Sequence, residues 1–182
     1  MGIVLLVLLV VVALWVMSAY NGLISLKNQV LNAWKQIDVQ LKRRHDLIPN
    51  LVNTVKGAME FERGTLEAVI SARAKALAAT GVAATAKAEG ELTQAVGKLF
   101  ALAESYPELK SSANVLQLQE ELGSTENKIG FARQLYNDTA TQYNTKQAQF
   151  PTNLVAGLAK ATPAELWEIT DEGERAVPRV QL

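Results

Sequence analysis

Eighteen Lys and Arg balance eighteen Asp and Glu over 182 residues, with one His and no Cys. A neutral chain has no field with which to concentrate a polyanion, so nucleic acid is excluded as a natural partner. Without Cys there are no disulfides, thiolate nucleophiles, Cys-ligated metals or Cys-attached lipids, and the length suits one domain with a real core beyond a short amino-terminal segment.

Residues 2–26 carry no charged side chain. As a helix, Gly2 to Tyr20 would rise roughly 28 Å, which matches a hydrocarbon core of about 30 Å, so residues 1–20 are expected to cross a bilayer once. A cleaved signal peptide is the rival reading. No Lys or Arg precedes the apolar run, and Met17, Ser18 and Ala19 do not form a clean Ala-x-Ala, so retention is expected. Leu6 stands where myristoylation needs Ser or Thr. Trp15 and Tyr20 suit an interfacial belt, or ordinary filling. Lys27 and Lys35 follow the span with no basic side chain ahead of it, so the positive-inside bias points the carboxyl domain toward the cytoplasm.

Beyond the span, Leu26, Val30, Trp34, Ile37, Leu41 and Ile48 fall on one helical face, continuing the anchor as a rod. Pro49 removes a backbone donor and disfavours helix at Ile48, which predicts a kink or a restart. A second stripe, Val52, Val55, Met59, Leu66, Ile70, Arg73 and Leu77, ends near Thr80-Gly81. The Ala-rich stretch from Ala76 to Ala88 favours helix on either side of a turn. Leu92, Val96, Leu99 and Ala103 form a third stripe, stopped at Tyr106-Pro107, where Pro107 suits a first helical position. The fourth stripe is the most regular: Val115, Leu118, Leu122, Thr125, Ile129, Ala132, Tyr136, Thr139 and Tyr143 step by three and four, the seam of knobs-into-holes packing, in a helix predicted from Pro107 to Gln149.

Phe150-Pro151 closes that helix. Thr162-Pro163-Ala164-Glu165 reads as a capping box and predicts a short helix with Leu166, Trp167 and Ile169, ended by Gly173; the residues after it have no helical period. No strand pattern of useful length occurs. The expected fold is all-α: a single amino-terminal transmembrane helix (1–20), an antiparallel bundle of three or four long helices (21–150), and a carboxy-terminal short helix and tail (151–182).

The run Ile37-Asp38-Val39-Gln40-Leu41-Lys42-Arg43-Arg44-His45-Asp46-Leu47-Ile48-Pro49-Asn50-Leu51-Val52, followed by Val55-Lys56-Gly57, closely resembles the signature of the LemA family of bacterial membrane proteins. Tyr20-Asn21, Asn28, Val30, Ala72-Arg73, Tyr106-Pro107-Glu108-Leu109-Lys110, Glu126-Asn127, Ala132-Arg133, Tyr136-Asn137, Tyr143-Asn144 and Phe150-Pro151 resemble its later motifs, in order. The resemblance spans roughly residues 20–158 and implies one amino-terminal transmembrane helix with an α-helical bundle. It implies no catalytic residues, since the family is known for none. The tail from Lys160 departs from the glycine-and-aromatic stretch of its relatives.

Several polar residues fall on or beside apolar stripes: Asp38, Arg44, Asp46, Arg73, Asn127 and Arg133. Polar groups there must be paired, which predicts a structural network that sets which helix meets which; a ligand pocket between helices is the alternative. Lys42-Arg43-Arg44-His45 is the densest basic run. Arg43 lies roughly 35 Å from the span along a continuous helix, beyond a Debye length of about 8 Å, so pairing with Asp38, Asp46, Glu60 or Glu62 is expected over lipid contact. A single His cannot build a di-iron site, and no nucleotide or hydrolase motif is present. Glu120-Glu121 with Glu126 reads as a solvated face, since adjacent helical carboxylates splay apart.

No catalytic, metal or cofactor site is therefore expected. Tyr136 and Tyr143 lie on the seam and read as core, which leaves Trp167 as the expected contact with a partner. The function these observations point to is a non-catalytic, membrane-anchored scaffold or adaptor, with the lipid bilayer, further copies of itself and other membrane proteins as partners. The competing readings are a membrane-bound, hydrolase-like enzyme with a polar site around Arg73 and Arg133, and a regulatory adaptor of a membrane protease or transporter.

Overall fold

The computed structural model describes residues 1–59 and 62–168. Their helices are α1 (Gly2–Lys56), α2 (Arg63–Ala78), α3 (Val82–Ala103), α4 (Pro107–Lys110), α5 (Ala113–Ala148) and α6 (Asn153–Ala156). The fold is all-α, a long apolar amino-terminal helix leading into a helical bundle, and no strand occurs among the described residues. The chain divides into two compact units. One joins Met1–Gln36 to Ala132–Leu166, and the other is built on Ile37–Phe131, which Trp167 joins.

Of the kink or restart expected at Pro49, the restart does not occur, because α1 runs through it to Lys56. A proline inside a helix costs about 3 kcal/mol. Leu51 and Val55, just beyond it, are fully buried, and each such burial contributes about 1.5–3 kcal/mol, so continuing the helix wins. The carbonyl that Pro49 leaves without its usual N–H is that of His45, four residues back. Arg73 of α2 takes the place of the missing donor, its Nε donating to the His45 oxygen at 2.8 Å.

The turn between α2 and α3 rests on Gly81, whose φ of +84° is open to glycine and strained for other residues. The inward stripe of α2 is Leu66, Val69, Ala72 and Ala76, whereas Ile70 and Leu77 face out. The small Ala72 and Ala76 bring α2 and α3 close, and that proximity overrides the larger side chains in setting the buried face. The single helix predicted from Pro107 is also interrupted. α4 ends at Lys110, where the Ser111 hydroxyl donates to the Pro107 carbonyl at 2.9 Å, and α5 restarts with Ser112 accepting from the Leu116 N–H. Serine competing for backbone partners is the cause.

In the Ile37–Phe131 unit, Ile48, Leu51, Val55 and Met59 pack with Leu66 and Val69 of α2, Leu92 and Leu99 of α3, Leu109 of α4, and Val115 and Leu122 of α5. The seam of α5 points inward along its length: Val115, Leu122, Thr125, Ile129, Ala132, Tyr136 and Tyr143 are all buried. In the other unit, Leu23, Val30 and Ala33 of α1 are buried, as are Ala140 of α5, Val155 of α6 and Ala159. Trp34 meets Tyr136 edge-on, with ring centroids 5.4 Å apart.

The short carboxy-terminal helix lies at Asn153–Ala156, upstream of the capping box, and residues 161–168 form no helix. The side chain of Asn144 explains why. Its Nδ2 donates to the Ala164 carbonyl at 2.9 Å and its Oδ1 accepts the Ala164 N–H at 2.8 Å, so the carbonyl that a helix would use and the N–H that its cap would satisfy are both taken. The Tyr136 hydroxyl donates to the Glu165 carbonyl at 2.7 Å and pins the same stretch. Ile169 and Gly173, the rest of the predicted helix, lie outside the described residues.

Candidate functional site

The polar groups that converge inside the Ile37–Phe131 unit are centred on Arg44 and Glu89. Both sit where the apolar pattern calls for a hydrophobe. Arg44 is seven residues from Ile37 and from Leu51, and Glu89 is three before Leu92 and seven before Val96. Arg44, His45 and Glu89 are 4%, 6% and 3% exposed. Charges this deep persist only when paired and hydrogen-bonded.

Each is paired. Arg44 Nη1 lies 3.3 Å from Glu89 Oε2 and 3.1 Å from Glu126 Oε2 on α5, and its Nη2 donates to the Thr93 hydroxyl at 2.8 Å. His45 Nε2 is 2.7 Å from Glu89 Oε1; against a carboxylate that nitrogen is the donor. The Thr93 hydroxyl donates in turn to the Glu89 backbone carbonyl at 3.0 Å. α1, α3 and α5 are thus joined at one point, and Arg73 of α2 touches the same turn through the His45 carbonyl. Both oxygens of Glu89 and both terminal nitrogens of Arg44 are occupied, so the cluster closes on itself.

Of the residues expected in this network, Arg44 and Arg73 take part. Asp38, Asp46 and Asn127 are exposed and take no part, and Arg133, half-buried, belongs to the other unit. Arg44 pairs with Glu89 and Glu126 rather than with Asp38 or Asp46, while Glu62 accepts from the Tyr106 hydroxyl at 3.2 Å and Glu60 lies outside the described residues. Although the residue is exposed, neighbouring side chains take some water from the Asp38 carboxyl and lift it above the usual carboxylate range. Glu89, Thr93, His45 and Glu126 were missed as members; Glu126, expected on a solvated face, is half-buried and pairs with Arg44. The signal for Glu89 was its spacing to Leu92 and Val96, which extends the third stripe one turn back. For His45 it was the spacing of four from Leu41 and three to Ile48.

Trp167, expected to meet a partner, is 4% exposed, so the chain itself covers its ring. Among the described residues no cluster of three or more His, Asp or Glu is disposed to hold a metal. The unit also carries an open cleft of about 790 Å³ where α1 ends and α2 begins, lined by Val52, Lys56, Arg63, Leu66 and Glu67 among others; neither Arg73 nor Arg133 lines it.

Comparison with known proteins adds a family. A family model described as the LemA family matches residues 33–182. A protein named LemA from Metamycoplasma hominis is 32% identical over 138 residues, which is 75% of this chain and 63% of that protein. Two proteins of Paramagnetospirillum magneticum, named magnetosome proteins MamQ 1 and MamQ 2, are each 28% identical over 95 residues, 52% of this chain and 35% of theirs. The chain thus spans less than two thirds of the length of these relatives. None of their names states an enzymatic activity. Within α1, the most apolar 18-residue window has a mean hydropathy of 2.9 and is almost wholly exposed. The helix and the family match together fit a membrane-associated, helical protein.

Proposed function

Because the chain belongs to the LemA family, we propose that it is a non-catalytic scaffold or adaptor, anchored by the first turns of α1 in a bacterial inner membrane, that assembles with further copies of itself. The observation that carries this reading is the closure of the charged cluster: Glu89 spends both oxygens on Arg44 and His45, so the most reactive groups of the unit serve to fasten helices. An enzyme built around Arg73 would need that guanidinium to face substrate, whereas its Nε serves the backbone of α1. The outer faces of the helices offer contact instead: Phe131, Leu116, Ile70 and Leu77 are exposed hydrophobes on α5 and α2. Lys27 and Lys35 after the span favour a cytoplasmic carboxyl domain.

Mass measurement of the detergent-solubilised full chain tests the assembly. A discrete multimer is expected, and monomer alone at all concentrations would remove self-association from the reading. Crosslinking in intact cells, with identification of what is captured, separates a self-assembling scaffold from an adaptor of another membrane protein.

A further inference from the structure

The unit that contains the apolar span also contains the turn that follows α5, and that turn is greasy on the outside. Thr152, Val155 and Ala159 point inward, while Phe150, Leu154 and Leu158 are 79%, 67% and 70% exposed. Steps of four place these three along one outward face.

Where that face lies follows from the register of α1 against α5. Trp34 meets Tyr136, and in this unit only four residues precede Tyr136 whereas thirty follow it, so the buried Leu23 and Val30 of α1 are covered by the chain after Tyr136 and the two helices run antiparallel. Moving from Trp34 to Tyr20 covers 14 residues of α1, about 21 Å at 1.5 Å per residue, and moving from Tyr136 to the end of α5 at Ala148 covers 12, about 18 Å, with Phe150 two residues beyond. Phe150 therefore stands level with Tyr20, the end of the apolar span. Burial along α1 agrees. Residues 1–14 are all exposed, Trp15, Val16 and Ala19 are half-buried, and Leu23 is 1% exposed. The only other chain in that unit is Ala132–Leu166, which must supply the cover.

Charge points the same way. Residues 2–37 and 139–164 carry Lys27, Lys35, Lys146 and Lys160 and no Asp or Glu, although the chain as a whole is neutral. A basic rim beside exposed hydrophobes at the level where a helix leaves lipid is the pattern of an interfacial contact, whose apolar side chains enter roughly 5–10 Å into the headgroup and acyl boundary.

We propose that Phe150, Leu154 and Leu158 form a second membrane contact, seated in the same leaflet from which the anchor emerges, with Lys27, Lys146 and Lys160 facing anionic headgroups. This rests on the anchor reading above. It makes the attachment two-point, which fixes the tilt of α1 and α5 at the surface rather than leaving the domain on a single swivel.

The absence of native Cys permits a direct test on the full chain. Single-Cys variants Val7→Cys, Leu154→Cys, Leu158→Cys and Leu77→Cys, each carrying an environment-sensitive fluorophore, are reconstituted into phosphatidylcholine and phosphatidylglycerol vesicles doped with a nitroxide-labelled lipid. All four native side chains are exposed, so labelling leaves the core intact. Quenching at Leu154 and Leu158 comparable to that at Val7, and several-fold above that at Leu77, supports the contact. Strong quenching at Val7 with Leu154 and Leu158 at the level of Leu77 overturns it and leaves the anchor standing. Quenching at none of the positions overturns both.

Discussion

The two units fasten their helices with opposite chemistry. The Ile37–Phe131 unit buries an ion pair: Arg44 and Glu89 lie on apolar stripes and are held by each other, with Glu126 and the His45 ring completing the cluster. The unit built on Met1–Gln36 and Ala132–Leu166 buries neutral groups, the Tyr136 hydroxyl and the Asn144 amide, and spends them on backbone. Ions lose hydration on burial, so a buried pair adds little net stability, yet losing one member leaves an uncompensated charge. A neutral bond contributes modestly and its loss is tolerated. The ionic cluster therefore specifies which helices meet, whereas the neutral bonds hold down a segment that has no helix of its own.

The sharpest way to break that contrast is Glu89→Leu, which removes the buried partner that Arg44 and His45 share and leaves Arg44 only the half-buried Glu126 and the Thr93 hydroxyl. A loss of about 3–5 kcal/mol is expected in denaturant unfolding of the detergent-solubilised chain. Combining it with Arg44→Met removes the buried guanidinium as well, leaving His45 and Thr93 as the polar groups there, and should restore part of the loss. A double variant as unstable as the single one would mean that shape, and not charge, sets the cost.

Next in size is the link between Arg73 and Pro49. Arg73→Ala removes a charged donor from the His45 carbonyl and should cost about 1.5–3 kcal/mol. With Pro49→Ala in place, a backbone N–H returns to that carbonyl, and the same Arg73 substitution should then cost at least about 1 kcal/mol less. Equal costs in the two backgrounds would show that Arg73 acts elsewhere.

Much of this was legible in the sequence, and the parts that were not have definite causes. The seam of α5 and the apolar span are readable because one period persists over many turns, and the buried Arg44 betrays itself by interrupting such a period. Pro49 misleads because its cost is local and visible, whereas the burial of Leu51 and Val55 and the donor from Arg73 come from elsewhere in the fold. Glu89 hides beside Gly90 at the edge of an Ala-rich stretch that offers little hydrophobic contrast. The capping box of Thr162 is a sound local signal that loses to Asn144, which lies 20 positions before the Ala164 it binds.

On the neutral side of the comparison, Asn144→Ala frees both backbone groups of Ala164. Two neutral bonds contribute about 1–3 kcal/mol together. The local effect should exceed the global one: amide exchange at Ala164 and its neighbours should quicken strongly while the N–H groups of α2 and α3 keep their protection. Uniform acceleration across the chain would erase the distinction between a segment that is pinned and a core that is specified.

The smallest effect is titration of Tyr136. Burial, and then the nearby Glu165 carboxylate, push its phenol above the ordinary range near 10. A raised value in the folded state means the fold keeps a proton that the unfolded chain gives up, so this contribution is intact below the ordinary phenol range and is lost as pH climbs through and beyond it. Unfolding curves taken across that range should fall more steeply for the native chain than for Tyr136→Phe, which has no proton to lose. Both forms share the other tyrosines, so their difference isolates this hydroxyl. Parallel curves would mean that the bond to the Glu165 carbonyl opens before the phenol ionises, and that this neutral fastening is weaker than its 2.7 Å length suggests.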